Sequence, residues 1–351
     1  MINKKTMRQA VMTEPGHIEF HEARVPDTLL PDEILINVKR IGVCGSDIHV
    51  WHGKHPFTSY PIIQGHEYSG EVVAVGSDVT IVKPGDKATG RPQLVCGKCN
   101  PCLRGDYNVC ENLKVQGFQA NGCAQDYFVI PQVRLVKLPD DLSFREGALI
   151  EPLAVGAHST GRVSAIKDKN VVVFGAGTIG NIVAQFARAR GAAKVLVSDM
   201  NEFRLRKAGE CGIEYINNPA EESFEEAVKR VFGSEGFQVA FEAAGAEKPI
   251  LNAINNIENG SEIIILGVFD KPAGIHMSFV CEHELVIKGS MMYKHEDYID
   301  AVESLSANMI NIKPLVTREF SFEDYEEAYR YIDAKGNESL KIMINLDADG
   351  Q

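Results

Sequence analysis

Residues Val171–Asp199 read VVVFGAGTIGNIVAQFARARGAAKVLVSD, and no other stretch limits the possible folds as strongly. Val171–Phe174 is a β-branched and aromatic run, long enough for a buried strand and too short for a helix. Gly175, Gly177 and Gly180 follow in G-x-G-x-x-G spacing. Ile182, Val183, Phe186 and Ala187 then recur at helical intervals, and a second apolar run, Val195–Val197, leads to Asp199. Strand, glycine turn, helix, strand and acid in this order meet the requirements of a dinucleotide site. The first glycine permits a tight turn, the second lets backbone approach a pyrophosphate, and the third lets helix lie close on strand. The pyrophosphate would rest on N–H groups at the helix start. An ordinary strand-to-helix turn is the competing account, but the flanking strands and the terminal acid all fall where the site needs them. Asp199 lies 24 residues after Gly175. Its carboxylate suits a ribose 2′-OH and repels a 2′-phosphate, which selects NAD over NADP.

At 351 residues the chain should hold about two domains. Hydrophobic content of 44% and charged content of 24% are ordinary for a soluble enzyme. The net charge of −12 argues against nucleic-acid and anionic-membrane partners. The start, MINKKTMRQAVMTEPGH, lacks the apolar core of a secretory signal, and no run is long enough to span a membrane. Eight cysteines with metal-type spacing favour reduced thiols and a cytoplasmic location.

Before the glycine turn, short β runs (Ile34–Val38, Glu71–Val75, Tyr127–Ile130, Arg134–Leu138) alternate with Pro and Gly turns, as in a compact all-β region. The sequence CGKCNPCLRGDYNVC then places Cys96, Cys99, Cys102 and Cys110 together. Four thiolates fill a tetrahedral Zn²⁺ shell and leave no open position, so this is read as a structural zinc lobe spanning 94–112. An Fe–S cluster or redox cysteines are the alternatives. Pro152 should kink a helix around Ala148–Leu153 or start a new one. Strands at Gln238–Glu242 and Glu262–Leu266 alternate with helices at Ser223–Val231 and Pro249–Ile257, implying a parallel sheet covered on both faces. Helices Glu296–Leu305 and Phe322–Ile332 and a strand Lys341–Asn345 complete the pattern.

The chain resembles the zinc-dependent medium-chain dehydrogenases, particularly the sorbitol (L-iditol) dehydrogenase branch. The resemblance rests on Cys44-Gly45-Ser46-Asp47-x-His49, on Gly65-His66-Glu67-x-x-Gly70-x5-Gly76-x-x-Val79, on the four-cysteine lobe, on Ala148–Val155 (ALIEPLAV) and on Gly175–Gly180. It implies an α/β protein with a discontinuous GroES-like β domain, 1–160 and 291–351, and a doubly wound Rossmann domain, 161–290, with catalysis in the cleft between them. It also implies a homodimer or homotetramer.

Within that resemblance, Cys44, His66 and Glu67 would bind a catalytic zinc, with Glu151 as a further ligand or behind a bound water; two zinc ions per subunit result. Singly, each side chain has a plain account as core residue, satisfied imidazole or solvated charge. The implied reaction is NAD-linked oxidation of a secondary alcohol. Ser46 would accept the hydroxyl proton and His49 carry it to solvent, while Asp47 would orient His66; helix capping is the alternative for all three. Arg204 would border the adenosine ribose, Ile179 the nicotinamide side, and Leu266-Gly267-Val268 would line the cofactor. Trp51 and Phe118 are candidates for the pocket wall, with core packing an equal account.

One position departs from the sorbitol dehydrogenases. Where they carry an Arg after Lys-Gly, this chain reads Lys288-Gly289-Ser290-Met291-Met292, so Met292 offers no hydrogen bond to a polyol. The leading substrate class is a polyol, sugar alcohol or sugar acid. The alternatives are a vicinal diol of butanediol type, L-threonine, or a non-catalytic NAD-binding protein.

Overall fold

The computed structural model describes residues 5–347. Contacts divide the chain into two units. The first holds everything up to Glu151, with Lys294–Val302 and the stretch from Val316; the second holds Pro152–Tyr293 and Glu303–Leu315. The first break thus falls at Glu151–Pro152 and not at 160. Helix Ile150–Gly161 starts anew at Pro152's turn, and its Gly156 packs so tightly that a Cβ would stand 2.5 Å from Ile182 Cγ2 of the glycine-turn helix. The return at Lys294 is interrupted too. Asn311 N donates to Gln185 Oε1 (2.7 Å), which fastens 303–315 to the second unit.

In the first unit the strand Glu33–Val43 is the hub of a seven-stranded sheet. It pairs antiparallel with Glu67–Val75, with Tyr127–Pro131 and with the late strand Lys341–Asn345. Register sets Gly42 opposite Glu67 and Val43 opposite Ile342. Cys44, Glu67 and Lys341 therefore sit at three neighbouring strand ends. Helix Tyr325–Lys335 begins later than the predicted Phe322 because Ser321 Oγ bonds to Asp324 Oδ2 (2.8 Å), closing a turn first.

The second unit is built on six parallel strands in the order Tyr215–Asn217, Lys194–Ser198, Asn170–Phe174, Val239–Glu242, Glu262–Ile265, Val286–Gly289. Alternate residues of the central strand serve opposite faces. Val171 and Val173 join one buried cluster with Val183, Ala184 and Ala187, while Val172 and Phe174 join another with Phe224, Ile250 and Ile254. The chain moves outward on one side of Asn170–Phe174 and returns on the other. Such a reversal opens a crevice at the carboxyl ends of the strands, where ligands bind.

Candidate metal centres and dinucleotide site

Cys44 leaves the hub strand as the N-cap of the short helix Gly45–Trp51. Its N–H donates to Asp47 Oδ2 (2.9 Å), and Asp47 Oδ1 stands 3.4 Å from His66 Nδ1. Asp47 thus links both residues from a buried position. One ligand atom each of Cys44, His66 and Glu67 lies within 4.8 Å of the others. Burial alone would lower the His66 pKa, but the Asp47 carboxylate, with the Cys44 thiol, lifts it well above the ordinary value. A thiolate and an imidazole converging beside a carboxylate form a donor set that zinc accepts.

Lys341 was not legible as a site residue. Its Nζ donates to both oxygens of Glu67 (2.6 Å each) and to Val43 O (3.1 Å). Glu67 is therefore already charge-compensated. Glu151, in the first turn of helix Ile150–Gly161, is buried and lies outside the three-residue cluster. Its charge still reaches Lys341 and raises that amine's pKa together with Glu67 and Cys44, against the desolvation that lowers it.

Around the cluster, Phe118 packs its ring 4.9 Å from His66 and stacks on His55 at 4.7 Å. Trp51 instead donates its indole N–H to Asp333 Oδ2 (2.8 Å) and lies against Tyr329, which gives it a packing role. Ser46 is half-buried and His49 exposed on the same helix. The His49 carbonyl accepts from the N–H groups of Lys54 and His55. Met292 adopts φ 48°, a left-handed conformation unusual for a side chain of its length.

The four cysteines also converge, with ligand atoms within 4.8 Å of one another. Strand pair Gln93–Leu94 and Lys114–Val115 closes the lobe. Backbone N–H groups of Cys96 and Asn112 point at Cys110 Sγ (3.4 Å each), and those of Lys98 and Cys99 hold the Cys96 thiol down to about 6. Burial and neighbouring thiols push Cys102 up to about 12. Four cysteine sulfurs within 4.8 Å of one another form a donor set that fits a closed zinc shell.

In the second unit Gly175 takes φ 98°, which a side chain would resist. A Cβ on Gly180 would stand 1.8 Å from Gly175 O, whereas one on Gly177 would meet nothing within 4 Å. Gly180 is thus required by the protein itself, and Gly177 leaves room for a close-lying ligand, as a pyrophosphate demands. Asp199 Oδ2 accepts from Ala176 N (2.6 Å) and Oδ1 from Asn201 N (2.8 Å), which places its carboxylate against the turn. Arg204, whose N–H bonds Asn201 Oδ1, keeps a buried Nε without a partner. Ile179 and Leu266 are partly buried against the core, and Val268 is exposed. Glu242, a second residue with no sequence signal, ends the neighbouring strand; its carbonyl accepts from Leu266 N and Gly267 N.

Comparison with known proteins agrees with this arrangement. Residues 30–140 match the model of the alcohol dehydrogenase GroES-like domain, and 178–307 match that of zinc-binding dehydrogenases. A probable D-xylulose reductase A of Aspergillus clavatus is 33% identical over 335 residues, 93% of either chain. The sorbitol dehydrogenase of Bacillus subtilis is 32% identical over 345 residues, 97% of either chain. The crystal structure of galactitol-1-phosphate dehydrogenase from Escherichia coli superposes with a TM-score of 0.88 at 28% identity, covering 97% of this chain and 100% of its own. With both its β unit and its parallel-sheet unit accounted for, this chain belongs to the zinc-dependent medium-chain dehydrogenase family, in its sorbitol dehydrogenase-like branch.

Proposed function

We propose that the protein oxidises a secondary alcohol of a polyol, sugar alcohol or sugar acid to the ketone, with NAD as acceptor. The observation that carries the reading is the meeting of Cys44, His66 and Glu67 within 4.8 Å, in a chain that also holds the Gly175–Gly180 turn. The names of its relatives, a D-xylulose reductase and a sorbitol dehydrogenase, support the substrate class.

Cys44 and His66 would hold the catalytic zinc, with Glu67, already paired with Lys341, and Glu151 as the further candidate ligands. When bound, zinc supplies Lewis acidity towards a substrate hydroxyl and NAD supplies the hydride acceptor. Asp47 Oδ1, 3.4 Å from His66 Nδ1, would orient the ring, with Nε2 as the nitrogen available to a metal. Ser46 Oγ takes the hydroxyl proton and His49 passes it outward. Cys96, Cys99, Cys102 and Cys110 hold a structural zinc. Gly175, Gly177 and Gly180 seat the pyrophosphate, Asp199 and Arg204 the adenosine ribose, and Ile179 with Leu266–Val268 the nicotinamide side.

A vicinal diol is the second reading. It is favoured by Met292, an apolar side chain that offers a longer polyol no hydrogen bond. The chain works as a homo-oligomer: the edge strand Val286–Gly289 and its surroundings expose Val286, Met277, Phe279 and Met291. Eight unpaired cysteines fit a reducing compartment, the cytoplasm. No helix among the described residues is long and apolar enough to cross a membrane.

The test is NADH formation from sorbitol, xylitol, galactitol, sugar acids, butanediol and threonine by the zinc-loaded protein. Turnover of a polyol or sugar acid above butanediol supports the first reading. Turnover of butanediol alone transfers it to the second, and none with any alcohol defeats both.

A further inference from the structure

Glu242 is fully buried at the end of its strand. Its Oε1 accepts from the N–H groups of Ala244 (3.0 Å) and Gly245 (2.9 Å). Its Oε2 is equally hidden and has no hydrogen-bond partner. An unsatisfied carboxylate oxygen in the interior is costly, so packing alone does not explain it. Burial pushes the carboxyl upward, and the backbone N–H groups of Ala244, Ala246 and Gly245 pull it part of the way back.

The neighbours of that oxygen are loop backbone. A Cβ on Gly267 would stand 2.5 Å from Glu242 Oε2 and 2.2 Å from Gly245 N. Gly245 has φ 66°, and a Cβ there would come 2.4 Å from Val268 O. Across the turn, a Cβ on Gly175 would come 3.0 Å from Ala243 O. The loops 243–246 and 266–268 thus lie backbone against backbone beside the glycine turn, with the Glu242 carboxylate wedged between them. Sheet order then fixes which half of a dinucleotide they serve. Asp199 follows the strand on one side of Asn170–Phe174, while Glu242 ends the strand on the other. A dinucleotide laid across this switch point has its adenosine half by Asp199 and its nicotinamide half by Glu242.

We propose that Glu242 is the positioning residue of the nicotinamide half: Oε1 sets the 243–246 loop, and Oε2 is the acceptor kept for a hydrogen-bond donor that the bound nicotinamide riboside brings. This rests on the NAD reading above. It explains why an oxygen without a partner persists beside two glycines that bring two loops together.

The test compares NADH with 5′-AMP, which carries only the adenosine half. Affinities are measured by calorimetry on the zinc-loaded wild type, Glu242→Gln and Glu242→Ala. Glu242→Gln keeps the Oε1 acceptor and replaces Oε2 with a donor, so it should fold even where Glu242→Ala does not. NADH should bind Glu242→Gln about tenfold more weakly, with 5′-AMP within about twofold of wild type. A residue with a purely structural role would not separate the two nucleotides. Unchanged NADH affinity in Glu242→Gln overturns the proposal, as does equal weakening of both nucleotides. A wild type that binds neither defeats the cofactor reading itself.

Discussion

The ammonium of Lys341 stands 2.6 Å from each carboxylate oxygen of Glu67, with the residues 3% and 1% exposed. Register places them together, because Lys341 precedes Ile342 opposite Val43 and Glu67 faces Gly42. In this depth of burial each charge depends on the other. Lys341→Met should therefore lose about 3–5 kcal/mol of stability, the cost of stranding a buried carboxylate. The double variant Lys341→Met/Glu67→Gln should recover most of the loss, since both charges are then gone. Urea unfolding of the single and double variants measures this. A single variant as stable as the wild type would show that Glu67 has another compensating partner.

The cysteine lobe makes a different demand. Between its two short strands the chain has a four-residue α-helix, Asn100–Leu103, with no buried residue, and a 3₁₀ turn, Tyr107–Val109, whose one buried residue is the polar Asn108; Leu103 is 72% exposed. So little apolar burial leaves the metal to hold the lobe, and structural zinc contributes on the order of 10–16 kcal/mol in small domains. Cys96→Ser should lower zinc by one ion per chain and open the segment between Gly97 and Gly105 to protease. Elemental analysis and limited proteolysis read these outcomes. Full zinc content with an intact lobe would contradict the structural assignment.

These two sites show what sequence made legible. The lobe is local: its four ligands fall within Cys96–Cys110, so spacing alone announces it. The glycine turn is local in the same way. Lys341 belongs to the other extreme, since its partner is Glu67 and nothing in Ser339-Leu340-Lys341 marks a site. Only the pairing of a late strand with the hub brings it there. Glu242 was hidden for a related reason, because an acid at the end of an apolar run resembles a solvated strand end. The resemblance places the segment Glu303–Leu315 with the first unit, but contacts such as the Asn311 bond to Gln185 group it with the second. Local chemistry could be read from the chain; contacts set by strand register could not.

Under the proposed function, cofactor choice turns on Asp199. Its oxygens each accept one backbone N–H, from Ala176 and Asn201, so the negative charge is fixed at the turn and not swung into solvent. A 2′-phosphate brought there meets that charge directly, whereas a 2′-OH donates to it. Asp199→Ala should raise the NADP-to-NAD ratio of kcat/KM by about tenfold or more, equivalent to about 1.4 kcal/mol. Kinetics with both cofactors on one substrate provide the check. A ratio that stays put would place the discrimination on Arg204 or elsewhere in the turn.

In the proposed mechanism, proton release draws on the helix Gly45–Trp51. Ser46 is half-buried two residues from Cys44, and His49 is exposed one turn further along the same helix, as the proposed relay requires. The backbone around His49 is held by the N–H groups of Lys54 and His55, which bond its carbonyl and need no side chain. His49→Ala should accordingly fold, keep both zinc ions and bind NADH normally. Its turnover should fall by about tenfold or more, within reach of a lost general base. Added imidazole should restore part of the rate, and the loss should be steepest at low pH, where hydroxide does least to replace the base. Turnover equal to wild type across the whole pH range would remove His49 from the relay and leave Ser46 to release its proton to water directly.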